Sequence, residues 1–344
     1  MGVNSQKTKF KRIVINGKGG AEVVGFVDVD MLEPNQNEVR IKVQAAGIAF
    51  ADIMARKGMF PAILAYPYTP GYDIVGVVDK LGEGVSGFNV GQKVAALLTK
   101  FGGYQEYVNV PKEMLVNVPE SVDSAEAVSL VLNYLTAYYL IYNAAKAKSA
   151  ERVLITSAAG GVGTALIQLG KLAGLEMFGT ASKAKLEFVN EQGAIAIDYQ
   201  NEDFVKQINE LTVNKGVDVV FDAIGGKTSS RAYGLLAKGG KLISYGFLSA
   251  KGNSMMSMLP AIIRIVWLGL LPDGKLAKMS KSLPIVVEKD NEWYRQTLTK
   301  LMGFLAEAKI KPVIAERLPL TEAAKAMELL ETGARRGKIV LISQ

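Results

Sequence analysis

Apolar positions along this chain follow three successive patterns. From Met1 to about Val128 they come in short β-rich runs: Arg12 to Ile15, Val23 to Asp30, Glu38 to Ala46, Ile74 to Leu81 and Lys93 to Leu98. Gly, Pro and Asn punctuate these runs, the pattern of short strands joined by turns. A β-rich, barrel-like unit is expected there. After Pro119 the spacing turns helical, and Ser121 to Lys148 carries apolar residues at Leu130, Leu135, Tyr138 and Tyr139. Strands then alternate with helices. Strands are predicted at Arg152–Ser157, Met177–Thr180, Ala194–Ile197, Val217–Phe221 and Lys241–Tyr245. The helices between them fall at Val162–Ala173, Lys185–Glu191, Glu202–Leu211 and Ser229–Leu236. That rhythm implies a parallel sheet covered by helices on both faces. The end reverts, with a helix at Glu292–Ala308, a strand at Val313–Arg317, a helix at Thr321–Glu331 and a last strand at Lys338–Ile342. This tail is expected to rejoin the first unit, giving domains 1–128 with 290–344 and 129–289.

Two segments leave alternatives open. Met255 to Leu271 is nearly all apolar, interrupted by Arg264 and bounded by Pro260 and Pro272. Its uninterrupted helical part is far shorter than the roughly 20 residues that span a bilayer. A buried helix, a strand, a dimer contact or a surface-inserting helix all fit it. Ser282 to Val287, SLPIVV, reads as a strand and as the candidate edge for pairing two nucleotide domains.

Composition then narrows the chemistry. The 344 residues include no Cys and no His. Disulfides, thiolate catalysis, Cys or His metal ligands and a histidine base are thereby excluded. The net charge of +7 suits a soluble basic enzyme, an anionic ligand or an anionic membrane surface. The lysines are scattered, with no arginine-rich block to indicate nucleic acid. The N-terminus has no apolar core of a secretory signal, and Gln6 stands where an acylated Gly2 would require Ser or Thr.

The strongest motif is ITSAAGGVGTALIQLGKL, Ile155 to Leu172. Ala158, Gly160 and Gly163, with Gly161 added, occupy the places of a dinucleotide fingerprint between a strand and an amphipathic helix. Ala159, Gly160, Gly161, Val162 and Gly163 are therefore the candidate pyrophosphate cradle, on a helix N-terminus suited to anions. An acidic residue about 20 positions on would select NAD. The next strand instead ends Thr180, Ala181, Ser182, Lys183, Ala184, Lys185. Hydroxyl and ammonium groups there suit a 2′-phosphate, so NADPH is the expected cofactor. Cations at a helix start oppose its dipole and need such a reason, although a solvated first turn would also hold lysines.

With these motifs in place, the chain resembles the zinc-free quinone oxidoreductases of the medium-chain dehydrogenase/reductase superfamily, in particular the branch of the vesicle amine transport protein. The resemblance rests on AAGIAFADIMARKG (Ala45–Gly58), TPGYDIVGVV (Thr69–Val78), NYLTAYYL (Asn133–Leu140), AAGGVG (Ala158–Gly163), FDAIGG (Phe221–Gly226) and the closing GKIVL. It implies an α/β fold: a β-rich GroES-like barrel domain plus a doubly wound parallel-sheet Rossmann domain. Zinc-dependent relatives carry Cys and His at the positions of Ala49 and Tyr72, and a four-Cys lobe that is missing where Leu98 leads almost directly into FGGYQEYV. Without that Lewis acid, the chemistry implied is hydride transfer to an acceptor already electrophilic, a quinone or an α,β-unsaturated carbonyl. An enoyl thioester is a related acceptor. The branch also suggests a non-catalytic NADPH-binding protein at membranes or lipids.

By family position, Ala49, Met54, Phe60 and Tyr72 line the substrate pocket. Asn often replaces Ala49 in quinone reductases, and tyrosines Met54 and Phe60, so this pocket is more apolar. Tyr72 is either a cleft hydroxyl or a core tyrosine with its OH satisfied. Thr136 is assigned to the nicotinamide, Lys185 and Tyr199 to the 2′-phosphate and adenosine, and Ile224, Gly225 and Phe247 to strand ends facing the ligand. Asp52 and Arg56, four apart on a helical stretch, read as a structural ion pair. The resemblance further implies a cytosolic homodimer with no metal.

Overall fold

The computed structural model describes residues 8–60, 65–200, 203–250 and 254–343. Gly2, Gln6 and Glu202 lie outside them. The chain divides into two compact units, one of Met1–Leu132, Pro284–Lys309 and Ile314–Gln344, the other of Asn133–Leu283 and Ile310–Val313.

Fifteen strands, numbered in chain order, are formed among the described residues. The first unit holds β1 (Lys9–Ile15), β2 (Val24–Asp30), β3 (Glu38–Gly47), β4 (Asp73–Leu81), β5 (Lys93–Leu97), β6 (Tyr107–Pro111), β7 (Leu115–Asn117), β14 (Ile314–Pro319) and β15 (Lys338–Ile342). β1 and β2 form an antiparallel hairpin, and the others a sheet of order β14-β15-β3-β4-β5-β7. The long β3 organises this sheet: Glu38–Lys42 pairs with β6, and Ala45–Gly47 pairs with β15. The two late strands thus pair into the sheet of the first unit. Ile41, Val43, Ile74, Val94, Ala96 and Leu341 are buried in the core of this sheet, residues two apart on a strand facing the same side. The helix Asn291–Ala306 is capped by Asp290, whose carboxylate accepts from Trp293 N. It is tied down by the buried Tyr294, whose hydroxyl accepts from Leu97 N at 3.0 Å and donates to Met114 O at 2.9 Å.

The second unit holds β8 (Arg152–Ile155), β9 (Glu176–Ala181), β10 (Ile195–Asp198), β11 (Val217–Asp222), β12 (Leu236–Ser244) and β13 (Leu276–Met279). The sheet is parallel throughout, in the order β10-β9-β8-β11-β12-β13. Strand order therefore reverses between β8 and β11, where the chain leaves one side of the sheet for the other. Open α/β sheets bind ligands at the carboxyl ends of strands at such a point.

Two expectations need correction. Ser282–Val287 is not a strand, because Leu283–Lys289 is a helix. Leu283, Val286 and Val287 are buried while Ile285 is exposed, a 3–4 spacing that the run of β-branched residues concealed. Pro284 suits the first turn of a helix, where its missing N–H is no loss. The edges of the sheet are β10 and β13 instead. The Met255–Leu271 segment resolves into a short 3-10 turn, Met255–Met258, and a helix, Leu259–Gly269. Met258, Ala261, Ile265 and Leu268 are buried, whereas Ile263, Val266, Trp267 and Leu270 are exposed. Both faces are apolar, so the segment is only half a core helix. No helix among the described residues is long and apolar enough to cross a membrane.

Candidate functional site

In the second unit, β8 ends at Ile155 and the chain turns through Thr156–Gly160 into the Gly161–Leu172 helix. Ser157 takes a left-handed φ of 58° at the tight part of this turn. Ala158 N donates to Thr180 O at 3.0 Å and Gly160 N to Ser157 O at 3.0 Å, so the loop is braced by β9 and by itself. Gly163 is required by close approach: a Cβ there would meet the Ser157 carbonyl and stand 2.6 Å from Ala158 O. This glycine lets the helix start press against the loop, leaving the first N–H groups of the helix as donors. Ala159 is buried and Val162 half-buried on the same turn.

Asp222, at the end of β11, locks the other side of the switch point. Its buried carboxylate accepts from Thr156 Oγ1 at 2.8 Å, Ile224 N at 3.0 Å and Gly225 N at 3.1 Å, and Ser229 Oγ also donates to it. Thr156 Oγ1 in turn accepts from Ala223 N at 2.8 Å. The Asp222–Gly226 loop is zipped to the one after β12 by Tyr245 N to Asp222 O, Leu248 N to Ala223 O and Ser249 N to Ile224 O. Gly225, with φ of 80°, faces Phe247 and Ser249. Ile224, Gly225 and Phe247 are therefore brought together, and Thr156, Asp222 and Ser249 join them. Sequence reasoning passed over those three, although the Asp of FDAIGG, at a strand end before two glycines, carried a signal.

The remaining nucleotide candidates sit at the ends of β9 and β10. Thr180 is buried in β9, Ser182 precedes the 3-10 turn Lys183–Lys185, and Tyr199 follows β10 with its N–H donating to Ala181 O. Lys183 is exposed and Lys185 half-buried. Thr136 is half-buried on the helical turn Leu135–Tyr138, which packs against the Gly161–Leu172 helix. The carboxyl ends of β9, β8, β11 and β12 thus carry, in spatial order, cationic and hydroxyl groups, the glycine turn and the Asp222-braced loops. The arrangement fits a dinucleotide with its pyrophosphate at the helix start.

In the first unit, Ala49 precedes the Phe50–Arg56 helix and is nearly buried. Asp52 stitches this region together. One carboxylate oxygen accepts from Ala49 N at 2.9 Å and from the Tyr104 hydroxyl at 2.7 Å, and the other from Gly71 N at 3.0 Å. Burial pushes its pKa up to about 6 against the pull of these donors, with Asp73 adding to the rise. The expected Asp52–Arg56 ion pair is not what forms. Arg56 reaches Glu331 at 2.8 Å, a partner shared with Lys57, because Asp52 is turned back to the helix start. Asp73 is buried against Lys338 at 2.7 Å, and its pKa is raised, chiefly by burial.

Tyr72 is buried, but its hydroxyl makes no hydrogen bond to another described residue, which is nearer the cleft-hydroxyl alternative than the satisfied core tyrosine. Its ring lies 4.3 Å from Phe101 and 6.4 Å from Phe60, and Phe101 also meets Phe60 at 5.3 Å and Tyr68 at 5.7 Å. Burial, then the Asp52 and Tyr68 charges, raise the Tyr72 pKa, so the hydroxyl is a weaker acid than a free phenol. Phe101 lies 29 positions from Tyr72 and so was not anticipated, whereas Tyr68 is only four residues away but belongs to no motif that pointed to it. Met54 is half-buried on the helix, its carbonyl accepting from Met59 N at 2.7 Å. This apolar, aromatic setting does not fit zinc: a methyl group and a phenol stand where thiolate and imidazole would be required. No cluster of three acidic side chains suited to a metal occurs among the described residues.

Comparison with known proteins places these features in context. Residues 35–120 match the family described as alcohol dehydrogenase GroES-like domain, and residues 192–341 that described as zinc-binding dehydrogenase. The rat synaptic vesicle membrane protein VAT-1 homolog is 31% identical over 343 residues, covering 96% of this chain and 83% of the relative. Rat quinone oxidoreductase is 30% identical over 329 residues, covering 94% of this chain and 95% of the relative. Among solved structures, Escherichia coli quinone oxidoreductase complexed with NADPH aligns with a TM-score of 0.85 at 28% identity, over 96% of this chain and 99% of the other.

Proposed function

This chain belongs to the medium-chain dehydrogenase/reductase superfamily, alongside its quinone oxidoreductases and VAT-1 homologs, and on that premise we propose that it is an NADPH-dependent, zinc-independent reductase of quinones or α,β-unsaturated carbonyls. One observation carries the cofactor half of this reading. A glycine turn at the β8/β11 switch point is flanked by Ser182, Lys183 and Lys185 at the end of β9, where an NAD enzyme would place an acid. The solved relative complexed with NADPH supports it. When bound, the nicotinamide supplies the hydride. The chain's own residues bind and orient: the Gly161–Leu172 helix start takes the pyrophosphate, Asp222 fixes the Ile224–Gly225 backbone, and the cations hold the 2′-phosphate.

The acceptor half rests on the aromatic cluster. Ala49, Met54, Phe60 and Tyr72, joined by Phe101, offer an apolar wall for a flat, electrophilic acceptor and no group to polarise an alcohol. Tyr72 is suited to donate a hydrogen bond to the acceptor carbonyl, while its lowered acidity leaves reprotonation to solvent. NADPH oxidation followed by absorbance, across a panel of quinones and enones with NADH in parallel, tests the reading. Turnover with NADPH well above NADH is expected. Folded protein that binds NADPH yet turns over no acceptor would overturn the enzymatic reading.

A second copy of the chain is the proposed cover for the exposed apolar face of Leu259–Gly269, giving a homodimer that acts in the cytosol. The competing reading is a nucleotide-binding protein that uses this same face at a lipid surface. It draws on the relative named a synaptic vesicle membrane protein. Sedimentation with and without anionic liposomes separates the two.

A further inference from the structure

The segment leading into the second unit is an unusual helix. Leu130–Tyr134 is π-helical, Leu135–Tyr138 is a single α turn, and Tyr139–Ala145 is π-helical again. Widened turns of this kind re-aim side chains and frequently occur at functional sites. Here the segment is clamped to the Gly161–Leu172 helix, since the Tyr134 hydroxyl donates to Gln168 Oε1 at 2.7 Å. The side chain re-aimed is Asn133, whose amide lies over the first turn of that helix. A Cβ built on Gly161 would collide with Asn133 Nδ2. Asn133 is only 7% exposed, yet its carboxamide makes no hydrogen bond to any described residue.

The polar atoms of this carboxamide are not among those sealed from solvent, so a largely buried amide that the protein does not hydrogen-bond is open to water or to a ligand. The neighbouring groups are the unpaired N–H donors of a twelve-residue helix start, which attract anionic oxygen. We infer that Asn133 is a further cofactor-binding residue. Its amide N–H₂ donates to the diphosphate of the bound dinucleotide, and Gly161 is glycine because this amide occupies the space of its side chain. The inference rests on the nucleotide reading above and adds a contact that the glycine motif alone does not contain.

The test is fluorescence titration of wild type, Asn133→Ala and Asn133→Asp with two probes, NADPH and adenosine 2′-monophosphate. The second carries the 2′-phosphate but no diphosphate. Asn133→Ala should weaken NADPH about 10- to 100-fold, the span of one hydrogen bond to a charged group, and leave adenosine 2′-monophosphate unchanged. Asn133→Asp, which puts a carboxylate against phosphate, should weaken NADPH more than Asn133→Ala and again spare the smaller probe. Unchanged NADPH affinity in Asn133→Ala would overturn the inference while leaving the nucleotide reading intact. Equal loss of both probes would overturn it too, by making the role of Asn133 structural. Wild type that binds neither probe would overturn the nucleotide reading and the inference with it. Unfolding midpoints of all three proteins show whether a loss comes from the site or from the fold.

Discussion

Asp52 has two opposing demands on one buried carboxylate. Three donors converge on it, which favours its charge, yet burial outweighs them and holds its pKa at about 6, above the ordinary 3.8. The folded protein therefore binds this proton more tightly than the unfolded chain. The stability that follows is fully present below about pH 4 and is lost as pH rises through 6. Asp52→Asn removes this titration, so the fall in unfolding free energy between pH 4 and 7 should shrink by up to roughly 3 kcal/mol in urea melts. Asp73, also raised by burial, contributes in the same direction. Lys185 is the second residue whose charge decides something. If it holds the 2′-phosphate, Lys185→Glu should lower kcat/KM for NADPH by about 10- to 100-fold, the range for a charge-assisted hydrogen bond, and leave NADH little changed. Equal loss with both cofactors would count against that role. The lysine and the glycine turn were legible because they are local: strand, turn and helix are contiguous in sequence. The Asp222–Thr156 and Tyr72–Phe101 contacts were not, because they join residues 66 and 29 positions apart.

At the scale of the element, the glycine turn shows why a short motif can specify a whole helix start. Gly163 stands so close to the Ser157 and Ala158 carbonyls that no side chain fits without pushing the helix off β8. Gly163→Val should therefore cost about 1–3 kcal/mol, the usual range for overpacking. It should also abolish NADPH binding, measured by thermal unfolding with and without NADPH. Wild-type stability and affinity in the variant would show that the loop has room to relax. Element types were legible wherever period and punctuation agreed, as for β4, β5, β15 and the Gly161–Leu172 helix. They failed at Ser282–Val287, where β-branched residues argued for a strand while the buried positions Leu283, Val286 and Val287 follow a helical spacing. Propensity is the weaker signal when packing decides. The π-helical turns of 130–145 were illegible for another reason: an inserted residue shifts the periodicity without changing composition.

For the molecule as a whole, the open question is what covers the apolar face beside β13. That strand pairs with β12 on one side only, and its outer edge leaves backbone N–H and C=O groups unpaired among the described residues. Such an edge is a template for another strand. Beside it in sequence, Ile263 is 64%, Trp267 56% and Leu270 77% exposed, and Leu276 and Met279 on the strand are exposed too. Large contiguous apolar patches mark association sites. Edge lysines oppose that association. Lys278 has its pKa lowered, first by burial and then by Lys241, Lys146 and Lys281, so the edge is already crowded with positive charge. Two copies meeting there would bring like charges together while burying apolar surface. A dimer of this kind should strengthen with added salt, which screens the charges, whereas binding to anionic lipid should weaken. Light scattering should give roughly twice the 37.0 kDa chain mass, with the dimer fraction rising between low and high ionic strength. Trp267→Glu with Leu270→Glu should return the mass to that of one chain without loss of NADPH affinity. A wild-type monomer at every ionic strength would instead leave the face free for lipid, and the same two substitutions would then be expected to abolish liposome sedimentation.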